Sequence, residues 1–322
     1  MKTLLKPELS VILITYNQSA YVEKAIQGLL SQDYDLRKVK LIVADDYSTD
    51  NTLEVIKKIL PEDLFFEVHY LDCTRNHGIT RNYERAIAAC EGEFTAVLEG
   101  DDYWTSISKL NKQVRLLKRR HEFCACGSNY YIYDASKCTF PLRIHNLHGY
   151  SAMSAASLID DNLPGNFSTM VYRTTALKSL PNAVFGLRAF DWIFHILISQ
   201  DSQICVLHEP MSVYRIHSNG QWSGLDNIKK QKQMASDIES YIPLCDPSIQ
   251  HPFKLKLDSI NSNIRLLSLP LPLRAFTPAY LRLIAKMSVP PIISSFIRVL
   301  TPPIFSIASS KIKSRTRTRG LK

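Results

Sequence analysis

The chain has 322 residues and a formal net charge of +9 at pH 7, and this positive charge is concentrated at its C-terminal end. From His251 to Lys322 there are thirteen Lys or Arg residues and one acidic residue, a net of +12. The preceding 250 residues therefore carry 26 basic and 29 acidic residues, a net of −3. This distribution argues against a body that binds nucleic acid and favours a basic tail that contacts an anionic surface.

Two features predict the compartment of the protein. Seven cysteines are scattered along the chain without a Cys-x-x-Cys pair or a zinc-binding spacing. After Met1 and Lys2, only Thr3, Leu4 and Leu5 precede Lys6, which is too short an apolar stretch for a secretory signal. We therefore expect reduced thiols in a cytoplasmic protein.

The first 120 residues alternate between strand-like and helix-like patterns. Continuous apolar, β-branched runs predict strands at 9–15, 39–46, 65–72 and 93–100. Apolar residues at helical spacing predict helices within 20–32, 48–60, 81–90 and 109–120, the second of them capped by Ser48 or Asp50. This alternation predicts an α/β fold with a mostly parallel central sheet flanked by helices.

Beyond residue 121 the pattern is less regular. The sequence predicts a strand at 127–134, a strand followed by a second strand or a helix at 168–177, a helix at 190–200, and one or two strands within 203–217. From Gly224 the chain becomes helical and then proline-rich. We expect a domain at 1–225 and a helical, basic C-terminal extension at 226–322.

The segment 288–310 is long and apolar enough to raise the question of a membrane-spanning helix. Two Pro-Pro pairs and Arg298 argue against one, because they interrupt the backbone hydrogen bonding or the apolar character that a spanning helix needs. The composition favours short amphipathic helices on a membrane surface, anchored further by the basic segment 311–320. A solvated basic tail is the alternative.

Acidic residues follow two of the predicted strands. Asp45 and Asp46 come at the end of the second strand, and a cluster of Glu99, Asp101 and Asp102 ends the fourth. Ligands of such sheets bind outside the carboxyl ends of the strands. The turn after the first strand contains no glycine, which excludes a dinucleotide-binding turn there. A metal ion bound by Glu99, Asp101 and Asp102 would be an alternative to such a turn for holding a phosphate.

Three stretches carry a resemblance to a known family: SVILITYNQSAYVEKAIQGLLSQDY, LIVADDYSTDNT and NHGITRNYERAIAACEGEFTAVLEGDDYW. Together with the later FDWIFHILIS and SVYRIHSNGQWS, they resemble the family 2 glycosyltransferases of the A-type, Rossmann-like nucleotide-diphospho-sugar fold. The resemblance runs from about Glu8 to about Gly224. It implies that 1–225 is a catalytic domain that transfers a sugar from a nucleotide diphosphate to an acceptor hydroxyl, with inversion at the anomeric carbon.

The resemblance also implies roles for residues that bind the donor. Thr15 and Tyr16 match the positions that wall the nucleotide, and Asp46 matches the carboxylate that accepts a hydrogen bond from a uracil or thymine ring. Arg215 and His217 lie in a segment close to the diphosphate in the family, although both could be ordinary strand-end residues. Arg81 could reach a phosphate or the ribose, or could be a solvated helix charge.

The resemblance further assigns Asp101 and Asp102 to the metal site, with Glu99 in a slot more often filled by Asp. Asp191 matches the general base that deprotonates the acceptor, although an Asp at that position could also cap a helix. For Asp45 we favour a structural role in ending the strand or capping the next turn. Tyr103 and Trp104 could line the acceptor cleft or belong to the core. Asn166 begins a glycosylation sequon that a cytoplasmic chain does not use.

The resemblance therefore implies an inverting glycosyltransferase, and the acidic cluster at 99–102 is the expected site for Mn²⁺ or Mg²⁺. We expect the donor to be a UDP-sugar and the acceptor to be a cell-surface polysaccharide or a lipid-linked glycan, at the cytoplasmic face of the membrane. The alternatives are a sugar-phosphate nucleotidyltransferase on a similar scaffold and a degenerate domain that only binds glycans. A nucleotidyltransferase would need a glycine- and lysine-rich loop after the first strand, which TYNQSAY lacks.

Overall fold

A computed structural model describes residues 6–134, 136–145, 148–217 and 227–268. Within these residues the strands are β1 (Leu9–Thr15), β2 (Val39–Asp45), β3 (Glu67–Tyr70), β4 (Phe94–Glu99), β5 (Tyr103–Trp104), β6 (Phe123–Asp134), β7 (Tyr150–Met153), β8 (Val171–Arg173) and β9 (Gln203–Ile216). The α-helices are α1 (Val22–Leu30), α2 (Thr52–Ile59), α3 (Ile79–Ala88), α4 (Lys109–Arg119), α5 (Ala155–Asp160), α6 (Thr174–Lys178), α7 (Asp191–Ile198), α8 (Asn227–Tyr241) and α9 (Pro247–Ser268).

The strands form one mixed sheet in the order β3-β2-β1-β4-β8-β6-β9-β5, and β7 also pairs with β9. Strands β1 to β4 are parallel, β8 is antiparallel to both β4 and β6, and β9 is parallel to β6. The short strands β5 and β7 run antiparallel to β9. The predicted α/β sheet flanked by helices is confirmed, with antiparallel strands added in its second half.

Side chains of β1 show why the sheet is covered on both faces. All seven residues of β1 are buried. Leu9, Val11 and Leu13 belong to the core that includes residues of α1, α2 and α4, whereas Ile12 and Ile14 belong to the core that includes residues of α3, α5 and α7. Successive side chains of a strand point to opposite faces, so a continuous apolar run is what a sheet between two helical layers requires.

Later elements resolve the alternatives that the sequence leaves open. Segment 168–177 contains a strand followed by a helix, β8 and α6, and 203–217 contains one continuous strand, β9. Helix α2 begins at Thr52, with Asn51 rather than Ser48 or Asp50 at the N-cap position. The Asp50 carboxylate nevertheless accepts a hydrogen bond from the Thr52 N–H at 3.0 Å. Asp50 therefore stabilises the first turn of α2 without being its cap.

The described part of the C-terminal extension is helical, as expected. Its helices α8 and α9 pack on the α5 and α7 side of the sheet, where Ile238 and Phe253 are fully buried and the Phe253 ring lies 5.5 Å from that of Trp192. No helix in the described ranges combines the length and the apolar character needed to cross a bilayer. The apolar segment 288–310 and the basic segment 311–320 lie outside the described residues, and the division at residue 225 stays a prediction.

Candidate active site

The turns that follow β1 and β2 are joined by hydrogen bonds at the carboxyl edge of the sheet. The Asn17 N–H donates to Ser48 Oγ at 2.8 Å, and Asn17 Oδ1 accepts a hydrogen bond from the Thr49 N–H at 2.8 Å. Asn17 and Tyr47 both have positive φ, 52° and 66°, a strained conformation for a residue with a side chain. As a result Tyr16 and Tyr47 project from neighbouring turns, and each is 49% exposed.

The two predicted nucleotide-wall residues differ in exposure. Thr15 is buried, and its hydroxyl donates to Asp45 Oδ1 at 2.9 Å. Asp45 also accepts hydrogen bonds from the N–H and the hydroxyl of Ser48, at 2.9 and 2.6 Å. Asp45 thus holds the end of β1 and the turn after β2, the structural role favoured for it. Thr15 supports the turn with its side chain, whereas the Tyr16 ring is free to contact a ligand.

Asp46 lies at the bottom of this edge and is 4% exposed. Its carboxylate accepts hydrogen bonds from the N–H groups of His77 and Gly78, at 2.7 and 2.9 Å. The Asn76 amide also donates to the Asp46 carbonyl at 2.9 Å. Asp46 therefore joins the end of β2 to the turn before α3, and any contact with a nucleotide base would use a remaining lone pair of the carboxylate.

Close packing places the acidic cluster directly after β4. A Cβ atom added to Gly100 would lie 2.6 Å from Thr15 Cγ2 and 2.5 Å from Gln18 Oε1, so the chain needs a glycine between Glu99 and Asp101. The Gly100 N–H donates to the Ile14 carbonyl at 2.9 Å, which continues the pairing with β1. The acids are thus fixed against the turn that carries Tyr16.

Asp102 is buried, and both of its carboxylate oxygens are bonded. The Asn166 amide donates to Oδ2 at 2.9 Å, and the Arg215 N–H donates to Oδ1 at 3.0 Å. Burial, and then the negative charge of Asp101, raise the pKa of the Asp102 carboxyl well above its usual range. Asp102 therefore joins Asn166 to Arg215 inside the site, and ionisation of its carboxyl is electrostatically unfavourable.

Glu99 is held by a tyrosine and faces the other acids. Tyr83 donates its hydroxyl to Glu99 Oε1 at 3.1 Å. Burial raises the pKa of Glu99 well above its usual value, and the charges of Asp102, Asp101 and Asp191 raise it further. Like charges in so small a volume destabilise one another, so this edge of the sheet favours a bound cation.

Asp101 is the more accessible of the two aspartates, with a quarter of its side chain exposed. His217 Nε2 lies 3.1 Å from Asp101 Oδ2. The Arg215 guanidinium lies over the rings of Tyr21 and Tyr103, at 5.2 and 4.7 Å from their centroids. Its Nη1 atom is buried and has no hydrogen-bond partner among the described residues. The Arg215 guanidinium therefore lies beside the acids with an N–H group that has no partner among the described residues, which suits an anionic ligand.

Asp101, Asp102 and Glu99 are the predicted metal ligands. Within the described ranges, no group of three or more His, Cys, Asp or Glu side chains converges as a metal cage. Both oxygens of Asp102 accept hydrogen bonds, from Asn166 and Arg215, and Oε1 of Glu99 accepts one from Tyr83, which leaves Asp101 as the most accessible carboxylate. The residues fit a site in which one or two carboxylates hold Mg²⁺ or Mn²⁺ and the oxygens of a ligand diphosphate complete the coordination.

Asp191 is the first residue of α7, and Phe190 occupies the N-cap position. The side chain is partly exposed, and its Oδ2 accepts a hydrogen bond from the Asn162 amide at 3.0 Å. Burial raises the pKa of the Asp191 carboxyl to about 6, while the bond from Asn162 opposes that shift. A carboxylate with this pKa is ionised at neutral pH and is a better proton acceptor than an ordinary aspartate.

Segment 162–169 contacts both halves of the site, although its sequence pattern did not predict this role. Asn162 bonds Asp191, Asn166 bonds Asp102, and the Ser168 hydroxyl accepts the Glu99 N–H at 3.0 Å. Gly165 has a φ of +73°, and a Cβ there would lie 2.4 Å from the Tyr130 ring. The available signal was the Pro-Gly turn flanked by two asparagines, since turn residues with polar neighbours often carry function.

Arg81 and Trp104 lie in different surroundings. Arg81 forms an ion pair with Glu84 on the same helix, with Nη1 and Oε2 2.7 Å apart, and half of its side chain is exposed. This placement corresponds to the solvated alternative. Trp104 is buried, and its indole N–H donates to the Ser168 carbonyl at 2.8 Å. Trp104 therefore belongs to the core beneath the acidic cluster.

Comparison with known proteins identifies related sequences. Residues 10–180, just over half of the chain, match the family model for glycosyl transferase family 2. The uncharacterised protein Rv1520 of Mycobacterium tuberculosis is 31% identical over 223 residues, which cover 66% of this chain and 60% of that protein. The putative teichuronic acid biosynthesis glycosyltransferase TuaG of Bacillus subtilis is 26% identical over 215 residues, 66% of this chain and 81% of TuaG. The match thus spans less than two thirds of the length of Rv1520.

Two solved structures share the fold. Staphylococcus aureus TarS, residues 1–349, in complex with UDP-GlcNAc superposes with a TM-score of 0.60 at 20% identity, covering 87% of this chain and 80% of that one. The mannosyltransferase PcManGT of Pyrobaculum calidifontis, in complex with GDP-Man and Mn²⁺, gives a TM-score of 0.56 at 17% identity, covering 92% and 80%. The chain therefore has the A-type glycosyltransferase fold, and one neighbour with this fold binds a divalent metal.

Proposed function

Since the chain belongs to glycosyl transferase family 2, we propose that it transfers a sugar from a UDP-sugar to an acceptor hydroxyl, with inversion at the anomeric carbon. One observation carries the proposal. Asp101 and Asp102, from the turn after β4, lie beside Arg215 and His217, from the end of β9, and segment 162–169 joins this cluster to Asp191. This proximity of carboxylates, an arginine and a histidine to a separate carboxylate supports the proposal of a diphosphate site next to a general base.

The exposed edge of β1 and β2 is the proposed site for the nucleoside. Tyr16 offers an exposed ring for stacking on a base, and Asp46 offers a carboxylate for the imide N–H of uracil. Its two amide donors fix the Asp46 carboxylate, so a further hydrogen bond to the base would need no reorganisation. Neighbours of this fold differ in the nucleotide they bind, since TarS is in complex with UDP-GlcNAc and PcManGT with GDP-Man.

Arg215 and His217 are the proposed partners of the diphosphate. The Arg215 guanidinium lies over the rings of Tyr21 and Tyr103, and its Nη1 has no hydrogen-bond partner in the part of the chain that the structure describes. His217 Nε2 lies 3.1 Å from Asp101 Oδ2. Asp101, with Asp102 and Glu99 behind it, would hold a Mn²⁺ or Mg²⁺ ion. When bound, that ion would neutralise charge that develops on the leaving diphosphate. Arg215 would share this task, because a fixed guanidinium binds phosphate oxygens with little loss of entropy.

Asp191 is the proposed general base. The acceptor oxygen attacks the anomeric carbon on the face opposite the diphosphate, and its proton passes to the Asp191 carboxylate. The bond between the anomeric carbon and the phosphate oxygen breaks, and its electron pair leaves with UDP. A positioned base of this kind contributes about 10²–10⁴-fold to the rate.

The acceptor is proposed to be a cell-envelope polysaccharide or a lipid-linked glycan at the cytoplasmic face of the membrane. The relative TuaG is a putative glycosyltransferase of teichuronic acid biosynthesis, and residues 251–322 of this chain carry a net charge of +12. A tail of that charge is attracted to anionic lipids, which would bring the catalytic domain to a membrane-bound acceptor.

A thermal-shift and calorimetry panel tests the donor proposal. UDP, GDP, dTDP, UDP-glucose, UDP-N-acetylglucosamine and GDP-mannose are each added with and without Mn²⁺. A ligand at about 100 times its Kd adds about 2.7 kcal/mol to the free energy of unfolding. We expect stabilisation by uridine nucleotides that strengthens with Mn²⁺. Equal response to all the nucleotides would exclude base recognition, and no response to any of them would exclude a donor site.

Tyr16→Ala provides a matched variant for this panel. Tyr16 is 49% exposed and Leu64 is 46% exposed, so neither substitution removes much buried surface. We expect Tyr16→Ala to weaken UDP binding by about tenfold through the loss of stacking, and Leu64→Ala to leave it unchanged. Equal UDP affinity in the two variants would place the base elsewhere.

A further inference from the structure

Asn162 is the hydrogen-bond partner that orients the proposed base. Its Nδ2 group donates to Asp191 Oδ2 at 3.0 Å and to the Gly165 carbonyl at 3.0 Å, and its Oδ1 lies 3.1 Å from His195 Nδ1. These three contacts use both amide hydrogens and one lone pair of the carbonyl. The Asn162 side chain is therefore held at both ends.

The orientation of the Asn162 amide follows from its acceptors. Exchanging Nδ2 and Oδ1 would place the amide oxygen against both the Asp191 carboxylate and the Gly165 carbonyl, which are both acceptors. The Gly165 carbonyl excludes the exchange even when Asp191 is protonated, because a carbonyl cannot donate. The amide hydrogens must therefore point at Asp191, and Oδ1 must point at His195.

His195 then has one allowed tautomer. It lies on α7 one turn after Asp191 and is 0% exposed. Burial lowers its pKa to about 3, so the ring is neutral at physiological pH and carries one proton. Since Asn162 Oδ1 can only accept, that proton resides on Nδ1. The other ring nitrogen, Nε2, is consequently an acceptor.

Tyr172 supplies the donor that this tautomer needs. Its hydroxyl lies 2.9 Å from His195 Nε2, and Tyr172 is fully buried on β8. Burial, together with the charges of Asp191 and Glu99, raises the pKa of the Tyr172 hydroxyl, which keeps its proton. The donors therefore run in one direction, from Tyr172 to His195, to Asn162, and to Asp191.

We propose that Asn162 and His195 are positioning residues for the glycosyl transfer, with Tyr172 and His195 locking the Asn162 amide so that it holds the Asp191 carboxylate in the orientation for attack by the acceptor. This proposal rests on the proposed role of Asp191 as the base. An amide N–H on one carboxylate oxygen limits rotation of the carboxylate, and a base that is already oriented loses less entropy in the transition state.

Other ionisable groups near Asp191 do not orient its carboxylate as the Asn162 amide does. Among the described residues, one carboxyl and five tyrosines have pKa values that respond to the charge of Asp191: Glu99, Tyr83, Tyr130, Tyr172, Tyr214 and Tyr241. The tyrosines all have raised pKa values and stay neutral near pH 7, so Glu99 is the member that can change the local charge. A change in Asp191 that appears when Asn162 is replaced, with Glu99 intact, therefore reports the amide.

The tautomer is tested by ¹⁵N NMR of the full chain labelled at histidine. The His195 signal is assigned by its loss in His195→Asn. We expect a neutral ring protonated at Nδ1 from pH 6 to pH 8. A ring protonated at Nε2, or a charged ring within this range, would overturn the proposal without reference to any substrate.

The effect on Asp191 is tested by a ¹³C carboxyl titration, with the signal assigned by Asp191→Asn. Loss of a hydrogen bond to a charged group should raise the midpoint by about one pH unit in Asn162→Ala. His195→Phe keeps the amide and its bond to the Gly165 carbonyl but removes the donor to Asn162 Oδ1, and should raise the midpoint by a smaller amount. His195→Asn keeps an amide donor near the position of Nδ1 and should restore the wild-type midpoint. Ser199→Ala is the matched control, because Ser199 bonds the His195 carbonyl on the same helix without contacting Asp191. Equal midpoints in Asn162→Ala and Ser199→Ala would overturn the proposal.

Turnover separates this proposal from the one on which it rests. UDP release is measured from the UDP-sugar that stabilises the protein most. Asn162→Ala should lower kcat by about tenfold with the donor KM within about twofold, since the lost bond acts on the base alone.

If Asp191→Asn keeps wild-type turnover, the role of Asp191 as base is wrong, and the NMR results are unaffected. If Asp191→Asn abolishes turnover and Asn162→Ala does not reduce it, positioning by Asn162 is wrong. If the wild-type protein releases no UDP, the carboxyl titration alone tests whether Asn162 positions Asp191.

Discussion

The backbone N–H of Arg215 donates a hydrogen bond to Asp102 Oδ1 at 3.0 Å, although the two residues lie 113 positions apart in the sequence. Pairing of β5 with β9 brings them together, because Tyr103 lies opposite Val213. The same pairing places His217 beside Asp101. The acidic cluster after β4 and the pair Arg215 and His217 at the end of β9 therefore form one unit, and a change at either strand should affect donor binding.

Asp191→Asn should abolish transfer and leave the donor site intact. The variant keeps the shape of the side chain and removes its ability to accept a proton, so we expect kcat to fall by about 10²–10⁴-fold. UDP affinity, measured by calorimetry, should stay within about twofold of wild type, because Asp191 lies outside the Asp101–His217 cluster. Asp201→Asn, at an exposed position, is the matched control. Comparable losses of turnover and of UDP affinity would make Asp191 a structural residue.

The rate of transfer should fall at acidic pH, because Asp191 becomes protonated. Burial raises the Asp191 pKa to about 6, and only the deprotonated carboxylate can accept the proton of the acceptor. The rate of transfer should therefore be level above about pH 7 and fall about tenfold per unit below pH 6. The measurement is kcat at saturating donor from pH 4.5 to pH 8. A profile that stays level down to pH 4.5 would contradict this prediction.

Sequence patterns predicted the parts of the site that lie where parallel strands end. Glu99, Asp101 and Asp102 follow a buried apolar run, and an ordered sheet places the ends of such runs on one edge. Asp191 was assigned by resemblance, since an Asp at a helix start is also a common cap. In both cases the informative signal was local, a short motif next to a regular element.

Asn162, His195 and Tyr172 could not be found in this way. Tyr172 reaches His195 from β8, which pairs between β4 and β6 in the opposite direction, and no periodicity encodes that insertion. His195 lies in an apolar helix and has the pattern of a core residue. Asn166 was interpreted as part of an unused sequon, whereas its amide donates to Asp102. Long-range hydrogen bonds of this kind have no sequence signature.

Glu99→Gln should stabilise the ligand-free protein at high pH. The Glu99 pKa is raised by burial and by its acidic neighbours, so its contribution to stability is fully present below the ordinary carboxyl pKa and is lost as the pH rises through the raised value. Gln keeps an oxygen that can accept the Tyr83 hydroxyl and carries no charge. We expect a higher unfolding temperature than wild type at pH 8 and a much smaller difference at pH 4.5, measured by calorimetry.

Glu54→Gln, on the exposed face of α2, is the control for this experiment. It should shift the unfolding temperature little at either pH. A lower unfolding temperature for Glu99→Gln at pH 8 would show that the negative charge of Glu99 is stabilised in the ligand-free protein, contrary to the argument above.

Gly100→Ala should damage the site by steric overlap. The new methyl group would lie 2.6 Å from Thr15 Cγ2, in a segment fixed by the pairing of β4 with β1. Such overpacking costs about 1–3 kcal/mol, and the shift should also weaken UDP binding. Gly186→Ala is the matched control, because its nearest neighbour would be Arg81 Nη2 at an ordinary 3.6 Å. Equal urea midpoints for the two variants would show that the Thr15 turn relaxes freely.

Deletion of residues 289–322 should release the protein from anionic membranes. This segment contains seven Lys or Arg residues and no acidic residue, and each basic residue near such a surface contributes about 1 kcal/mol. We expect the full chain to co-sediment with vesicles containing phosphatidylglycerol and not with phosphatidylcholine vesicles, with binding weakened by salt. Replacing the five basic residues within 311–319 by Gln should give most of the same loss. Substitution of the body residues Lys57 and Lys58 by Gln should not. Unchanged co-sedimentation of the deletion variant would remove the basis for placing the enzyme at the membrane.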